Sequence, residues 1–324
     1  MRASHKRLFL FVSVLSLLVF APLSGAEGEA AEMPADTVTD DYSLQGANTC
    51  LGCHADQVTA AIFTTKHAQR ADGRTPFGDG NTQCEACHGP GGEHIKRLKR
   101  GVSAEDRPSM PYWGSASTAT PAEHNQQCMG CHQQQVGLHW AGSVHDVEET
   151  NCADCHKLHA THQAVLRPET QAVVCYTCHL EQKANAQKPY AHPIRLGRMA
   201  CTDCHNPHGS AAEYALVKNT LNDTCYGCHQ EKRGPLLWEH APVAEDCSNC
   251  HEPHGTIHAG MLKRTAPLLC QSCHSQAGHP SIPYTASGLA GNPNPSQYLL
   301  GGSCMNCHSQ VHGSNHPSGA NLMR

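Results

Sequence analysis

The sequence predicts a polypeptide that is mostly coil with short α-helices and little or no β structure, ordered around bound groups instead of an aliphatic core. Three observations carry this. The chain has 324 residues, yet Leu, Ile, Val and Phe supply only about 13% of those after residue 26, where globular chains rarely fall below roughly 20% because buried apolar surface must offset chain entropy. It also carries 20 cysteines and 26 histidines. No alternation of apolar and polar residues persists long enough for a sheet. Something other than aliphatic side chains must fill the interior.

Taken in order, the chain opens with a segment read as a secretory signal peptide, residues 1–26. Arg2, Lys6 and Arg7 form a basic start, the apolar run from Leu8 to Phe20 is too short to span a bilayer, and Ser24-Gly25-Ala26 is a small-residue cleavage site. No cysteine directly follows that site, so a lipid anchor is not expected. Residues 27–46 hold acids and no base, which predicts an acidic flexible arm. Residues 47–324 remain as one domain. The formal charge is −5 and becomes more negative once the signal is gone, which argues against a nucleic-acid partner. No apolar stretch of about 20 residues follows the signal, so no helix of the mature chain is expected to cross a membrane.

The cysteines set the class. All 20 fall into ten copies of Cys-x-x-Cys-His, with none left over. The cysteine pairs are Cys50 and Cys53, Cys84 and Cys87, Cys128 and Cys131, Cys152 and Cys155, Cys175 and Cys178, Cys201 and Cys204, Cys225 and Cys228, Cys247 and Cys250, Cys270 and Cys273, and Cys304 and Cys307. Their histidines are His54, His88, His132, His156, His179, His205, His229, His251, His274 and His308. Cys-x-x-Cys-His is the attachment motif of c-type haem. Two thiols three residues apart reach the two vinyl groups of one porphyrin, and the adjacent imidazole is held under the ring as an iron ligand. Disulfides and zinc sites compete for paired cysteines, but neither needs histidine at one fixed place. With histidine at about 8% of positions, ten such coincidences have odds on the order of 10⁻¹¹. The fold class is therefore a multihaem cytochrome c, with coil and short helices wrapped around a linear array of ten covalently bound haems.

A repeat supplies the second iron ligands. Odd-numbered motifs are followed at a distance by His67, His145, His192 and His240; even-numbered ones are followed closely by His94, His159, His208, His254 and His312. His279 completes the set after the ninth motif, with His316 a rival for its role and His162 a rival for that of His159. The chain thus divides into five two-haem units starting near Cys50, Cys128, Cys175, Cys225 and Cys270. A recurring unit of this size reads as an array whose members contact their neighbours. A distal histidine generally serves a haem other than its nearest in sequence, and spacing leaves that pairing open. His124, His139 and His258 fall outside the pattern.

Among local elements, short helices are expected at residues 55–66, 181–188 and 212–218. Turns are expected at the Pro-His-Gly sequences, and loop across residues 278–303. The basic run at residues 94–100 reads as a solvated face, with docking of an acidic partner the alternative.

With these motifs in hand, the chain resembles the MtrA/DmsE family of periplasmic decahaem c-type cytochromes over essentially its whole mature length. The resemblance is most specific in Cys225-Tyr-Gly-Cys-His-Gln-Glu-Lys-Arg-Gly-Pro-Leu-Leu-Trp-Glu-His240-Ala-Pro and in Cys307-His-Ser-Gln-Val-His-Gly-Ser-Asn-His-Pro-Ser-Gly319. It implies a periplasmic chain of bis-histidine haems held in an outer-membrane β-barrel porin. Such a chain passes electrons between a periplasmic or inner-membrane multihaem cytochrome and an extracellular multihaem cytochrome or reductase, in extracellular respiration or metal oxidation and reduction. A soluble periplasmic carrier serving a terminal reductase, such as dimethyl sulfoxide reductase, is the alternative. A multihaem enzyme fits less well, since every motif keeps its histidine and no catalytic residue is expected. Size suits the conduit: even a compact globule of this length measures roughly 50 Å across, against about 40–45 Å for a bilayer with its headgroups.

Overall fold

A computed structural model describes residues 41–43, 45–99, 101–103, 106, 110–114, 117–134, 136–274 and 304–324. The signal peptide expected at residues 1–26, most of the acidic arm and the loop expected at residues 278–303 lie outside them. The described chain is short helices, 3-10 turns and coil. It contains no strand, only isolated bridges such as Tyr190 with Thr256 and Trp238 with Ser314.

Each Cys-x-x-Cys-His motif is one helical turn. The histidine N–H returns to the carbonyl of the first cysteine, as in His54 to Cys50 at 2.9 Å, His205 to Cys201 at 2.9 Å and His251 to Cys247 at 3.1 Å. Residues i, i+3 and i+4 share a helix face, so both thiols and the imidazole leave the turn on one side. The motif spacing is thus a geometric requirement met by backbone hydrogen bonding.

Polar caps start many of the turns. Thr120 and Glu123 form a capping box ahead of Pro121–His132, with Pro121 in the first turn where its missing N–H costs nothing. Asp56 caps Gln57–Ala60, Ser143 caps Val144–Val147, and Thr220 caps Leu221–Tyr226. Helices this short are marginal by propensity alone; caps and neighbouring turns hold them.

Buried amides clamp the two motifs of a unit together. The Asn125 side chain donates to the Thr150 carbonyl at 3.0 Å and accepts the Cys152 N–H at 2.8 Å. Asn222 repeats the arrangement with Val243 at 3.0 Å and Cys247 at 2.7 Å. Gln171 accepts the Thr202 N–H at 3.1 Å. These residues are buried, and each bond replaces contact with water that burial removes.

The apolar interior is small. Among the described residues its one cluster gathers Ala47, Ile62 and Phe77, and most other buried apolar residues are alanines. Larger aliphatics beside the motifs stay exposed, Val144 at 73% and Leu180 at 64% among them. Protein side chains alone do not build a core here.

Two expectations change. Residues 57–68 do form helical turns, and residues 180–185 a helix, but residues 212–218 do not. Tyr214 and Ala215 take φ of 55° and 52°, which ends any helix, because the segment must turn back to place its carbonyls against the sixth motif. The Val217 N–H reaches the Cys204 carbonyl at 2.9 Å. The second change concerns the arm expected at residues 27–46, whose end is tied down. Ser43 donates its N–H to Glu85 at 3.0 Å and its hydroxyl at 2.7 Å, and Asp41 pairs with Lys96. The basic run at residues 94–100 lies in part in the helix Gly92–Lys99, where Lys96 stays half exposed as expected of a solvated face while it engages Glu93 and Asp41.

Candidate haem-ligand sites

The turns bring their sulfurs together in sequence order. Within units, the first cysteines meet: Cys50 with Cys84, Cys128 with Cys152, Cys175 with Cys201, Cys225 with Cys247, and Cys270 with Cys304. Between units, the second cysteines approach instead: Cys87 and Cys131, Cys155 and Cys178, Cys204 and Cys228, Cys250 and Cys273. Successive motifs therefore lie beside one another along the chain. No two of the twenty cysteines form a disulfide.

The histidines lie across from one another. Among the described residues, eight motif histidines each face one histidine from elsewhere in the chain. His88 faces His159 and His132 faces His67, at ring-centroid separations of 6.1 and 5.9 Å. His156 faces His208 at 6.1 Å and His179 faces His145 at 6.1 Å. His205 faces His254 at 6.0 Å and His229 faces His192 at 6.4 Å. His251 faces His312 at 6.1 Å and His274 faces His240 at 6.0 Å. A metal–imidazole bond is about 2.0 Å long, so two imidazoles on opposite sides of one metal ion put their centroids about 6 Å apart. The facing pairs have that separation.

The pairing follows one rule. A distal histidine after an odd motif faces the next odd motif histidine, as His145 does His179. One after an even motif faces the previous even motif histidine, as His254 does His205. Every facing pair therefore joins two different units.

Hydrogen bonds fix which ring nitrogen is free. A carbonyl can only accept, so a ring nitrogen beside one must carry the proton. Nδ1 donates to a carbonyl from His88 (Pro111, 2.7 Å), His205 (Tyr214, 2.9 Å), His251 (Gly260, 2.8 Å) and His308 (Asn321, 2.7 Å). It does so as well from the distal residues His145 (Pro207, 2.8 Å), His192 (Pro253, 2.8 Å), His240 (Val311, 2.9 Å) and His159 (Thr59, 3.3 Å). With the proton on Nδ1, the Nε2 lone pair is available to a metal, the usual arrangement for ligating histidine. Burial holds His67, His88, His208, His254 and His312 below the ordinary histidine range, which favours the neutral ring that ligation needs.

The same logic separates the rivals. Arg167 donates to Nδ1 of His162 at 2.9 Å, and the Ser318 N–H donates to Nδ1 of His316 at 3.2 Å. Both neutral rings then carry their proton on Nε2 and offer no lone pair there. His159 faces His88 while His162 faces Arg167. His279 lies outside the described residues, and His94 lies in the helix Gly92–Lys99. His124 is buried, with Ser117 at Nε2 (3.0 Å) and Asn151 at Nδ1 (3.1 Å), and serves packing beside Trp113.

These residues fit haem and not a metal held by protein alone. Among the described residues, no three His, Cys, Asp or Glu converge on one point, as zinc would require. Two facing imidazoles would hold a haem iron between them, and two thiols on the same face as one imidazole match the covalent attachment of its porphyrin.

Sequence reasoning missed the groups that orient these ligands: the Asn125 and Asn222 clamps, and the carbonyls of Pro207, Pro253 and Val311. The recurrence of Asn three residues before Cys128 and Cys225 was the available signal. Trp238 is another such group. It pairs with Ser314 through the backbone and donates its indole N–H to the His316 carbonyl at 3.0 Å, so the two most characteristic sequence stretches lie against each other.

Residues 192–234 and 240–279 match the doubled CXXCH motif family, and residues 84–172 match the cytochrome c-type protein NrfB-like family. The chain is similar to the multiheme cytochrome MtrA of Shewanella baltica (strain OS185), 45% identical over 286 residues, which cover 88% of this chain and 83% of that protein.

Proposed function

This chain belongs to the MtrA family of multihaem cytochromes, and from that premise we propose that it is a periplasmic ten-haem conduit held in an outer-membrane β-barrel porin. That it is an electron-transfer cytochrome carrying covalent c-type haem follows from the family and from the motif turns. The observation that carries the finer reading is the set of facing histidine pairs, strung in sequence order by contacts between successive motifs. Each pair is assigned to one iron, the motif histidine proximal and its partner distal. Eight of the ten distal candidates are then used. His94 falls to the first iron with His54, and His279 to the last with His308.

Each haem supplies a one-electron couple when bound. The chain supplies the rest. The cysteine pairs would hold the porphyrin, the Nδ1–H bonds orient the imidazoles, and two histidines per iron would leave it no open position for substrate. Such a site changes charge without binding a reactant, which suits conduction better than catalysis.

A sheath is needed to cross a membrane. No helix among the described residues is long and apolar enough to span one. Coil with unpaired backbone groups costs several kcal/mol per group in hydrocarbon. A large outer-membrane barrel with a polar lumen provides the depth without that penalty. Outer membranes of the native host, extracted with mild detergent, should yield the cytochrome together with a barrel protein. Its recovery solely from the released periplasmic fraction would favour a soluble carrier instead.

A further inference from the structure

The two Pro-His-Gly loops and the Val-His-Gly loop do more than carry a distal histidine. His208, His254 and His312 are each preceded by a residue whose carbonyl accepts the Nδ1–H of another distal histidine. His145 donates to Pro207 at 2.8 Å, His192 to Pro253 at 2.8 Å, and His240 to Val311 at 2.9 Å. On the ligand assignment above, donor and acceptor belong to successive irons on either side of a junction between two-haem units. His192 serves the seventh motif and His254 the sixth, with one peptide between them.

The residue after each of these histidines is glycine, and the backbone explains it. Gly209, Gly255 and Gly313 have φ of +92°, +130° and +120°, a region L side chains rarely adopt. A methyl group at Gly209 would overlap the His139 carbonyl oxygen and lie 2.9 Å from Ser143 Cβ. At Gly255 it would overlap the Asn185 carbonyl oxygen and lie 2.9 Å from Ala191 Cβ. At Gly313 it would overlap Leu236 and lie 3.0 Å from the Trp238 carbonyl oxygen. In each case the obstructing backbone is the segment leading to the donor histidine. Backbone pairing of Tyr190 with Thr256 and of Trp238 with Ser314 closes the same contact at two of the junctions.

The junction between the first and second units is built differently. There His159 donates to Thr59 at the longer distance of 3.3 Å, and Ala160 follows it. The molecule therefore contains its own comparison.

We infer that Gly209, Gly255 and Gly313 are positioning residues for electron transfer across three unit junctions, because they let one loop's carbonyl dock on the neighbouring iron's distal imidazole. An Nδ1–H bonded to a carbonyl gives the ring imidazolate character. That stabilises the ferric state and lowers the potential of the iron it serves. The inference rests on the proposed axial ligation, and its test separates the two.

Gly255→Ala in the full ten-haem protein should weaken the His192–Pro253 bond. Potentiometric titration should then show the seventh-motif iron shifted to higher potential. Low-temperature EPR of the ferric protein should show altered low-spin signals from one or two irons, with no high-spin iron. Gly73→Ala, where nothing lies within 4 Å of the added methyl, should change neither. A Gly255→Ala protein with parental potentials and spectra overturns the inference, while the ligation reading stands. His192→Ala tests that reading separately and should yield one high-spin iron. Should Gly255→Ala fail to mature with ten haems, the unaltered protein supplies the answer. In D2O, the Nδ1 protons of His145, His192 and His240, followed by NMR of the histidine-labelled reduced protein, should exchange slowly. Immediate exchange of all three contradicts the docking.

Discussion

His205 and His254 face each other with ring centroids 6.0 Å apart and planes 14° from parallel, although one belongs to the third two-haem unit and the other to the fourth. The same crossing recurs at every facing pair described above. On the proposed ligation, an iron bound at such a site would tie two units together, adding a link to those the backbone makes.

His254→Ala should therefore open the iron of the sixth motif, Cys201-x-x-Cys204-His205, and not that of the eighth motif, which it follows in sequence. EPR of the oxidised variant should show a single high-spin haem against a low-spin background. An unchanged spectrum, or loss localised at the eighth motif, would contradict the assignment.

Without haem the chain should not fold. Among the described residues the one hydrophobic cluster is Ala47, Ile62 and Phe77, far too small to offset the entropy of a chain this long, and structure that depends on a bound group is lost with it. Protein produced without haem attachment should give a coil-like far-ultraviolet circular dichroism spectrum and rapid proteolysis. A compact, protease-resistant apoprotein would show that the polypeptide has a core of its own.

Asn222→Ala should destabilise the fourth unit. The variant leaves the Val243 carbonyl and the Cys247 N–H without their buried partner, a loss of about 1–3 kcal/mol. Guanidinium unfolding followed at haem absorbance should show an earlier phase, and the substitution should leave iron coordination six-fold. Loss of a low-spin signal would mean that the clamp also holds a ligand.

Stoichiometry is a further check. Intact mass of the mature protein should correspond to ten haems per chain, with no thiol reactive toward alkylating reagents. Fewer haems in fully matured protein would mean that some motifs are not attachment sites.

Much of this site was legible before any coordinates. The ten turns follow from i, i+3, i+4 spacing, and two of the histidines behind even-numbered motifs, His208 and His254, announce themselves by Pro-His-Gly, with His312 in a similar Val-His-Gly. What the sequence hid was relational. Nothing local to His145 says that it faces His179 or docks on Pro207, because those contacts depend on how units stack. The choice between His159 and His162 turned on Arg167, whose guanidinium occupies His162 Nδ1. The stretch at residues 212–218 has a helix-compatible composition, yet tertiary demand overrides it, since Tyr214 must offer its carbonyl to His205. Asp41 and Ser43 look like part of a charged tail until Lys96 and Glu85 come into view across the fold.

Conduction through a sheathed row of bis-histidine haems, as proposed, requires electron transfer across a sealed membrane. Liposomes carrying the cytochrome–porin complex, with a reducible dye trapped inside, should bleach the dye when a membrane-impermeant reductant is added outside. Liposomes with porin alone should not. Equal rates with and without the cytochrome, or a sealed dye that stays oxidised in the presence of the intact complex, would contradict the account.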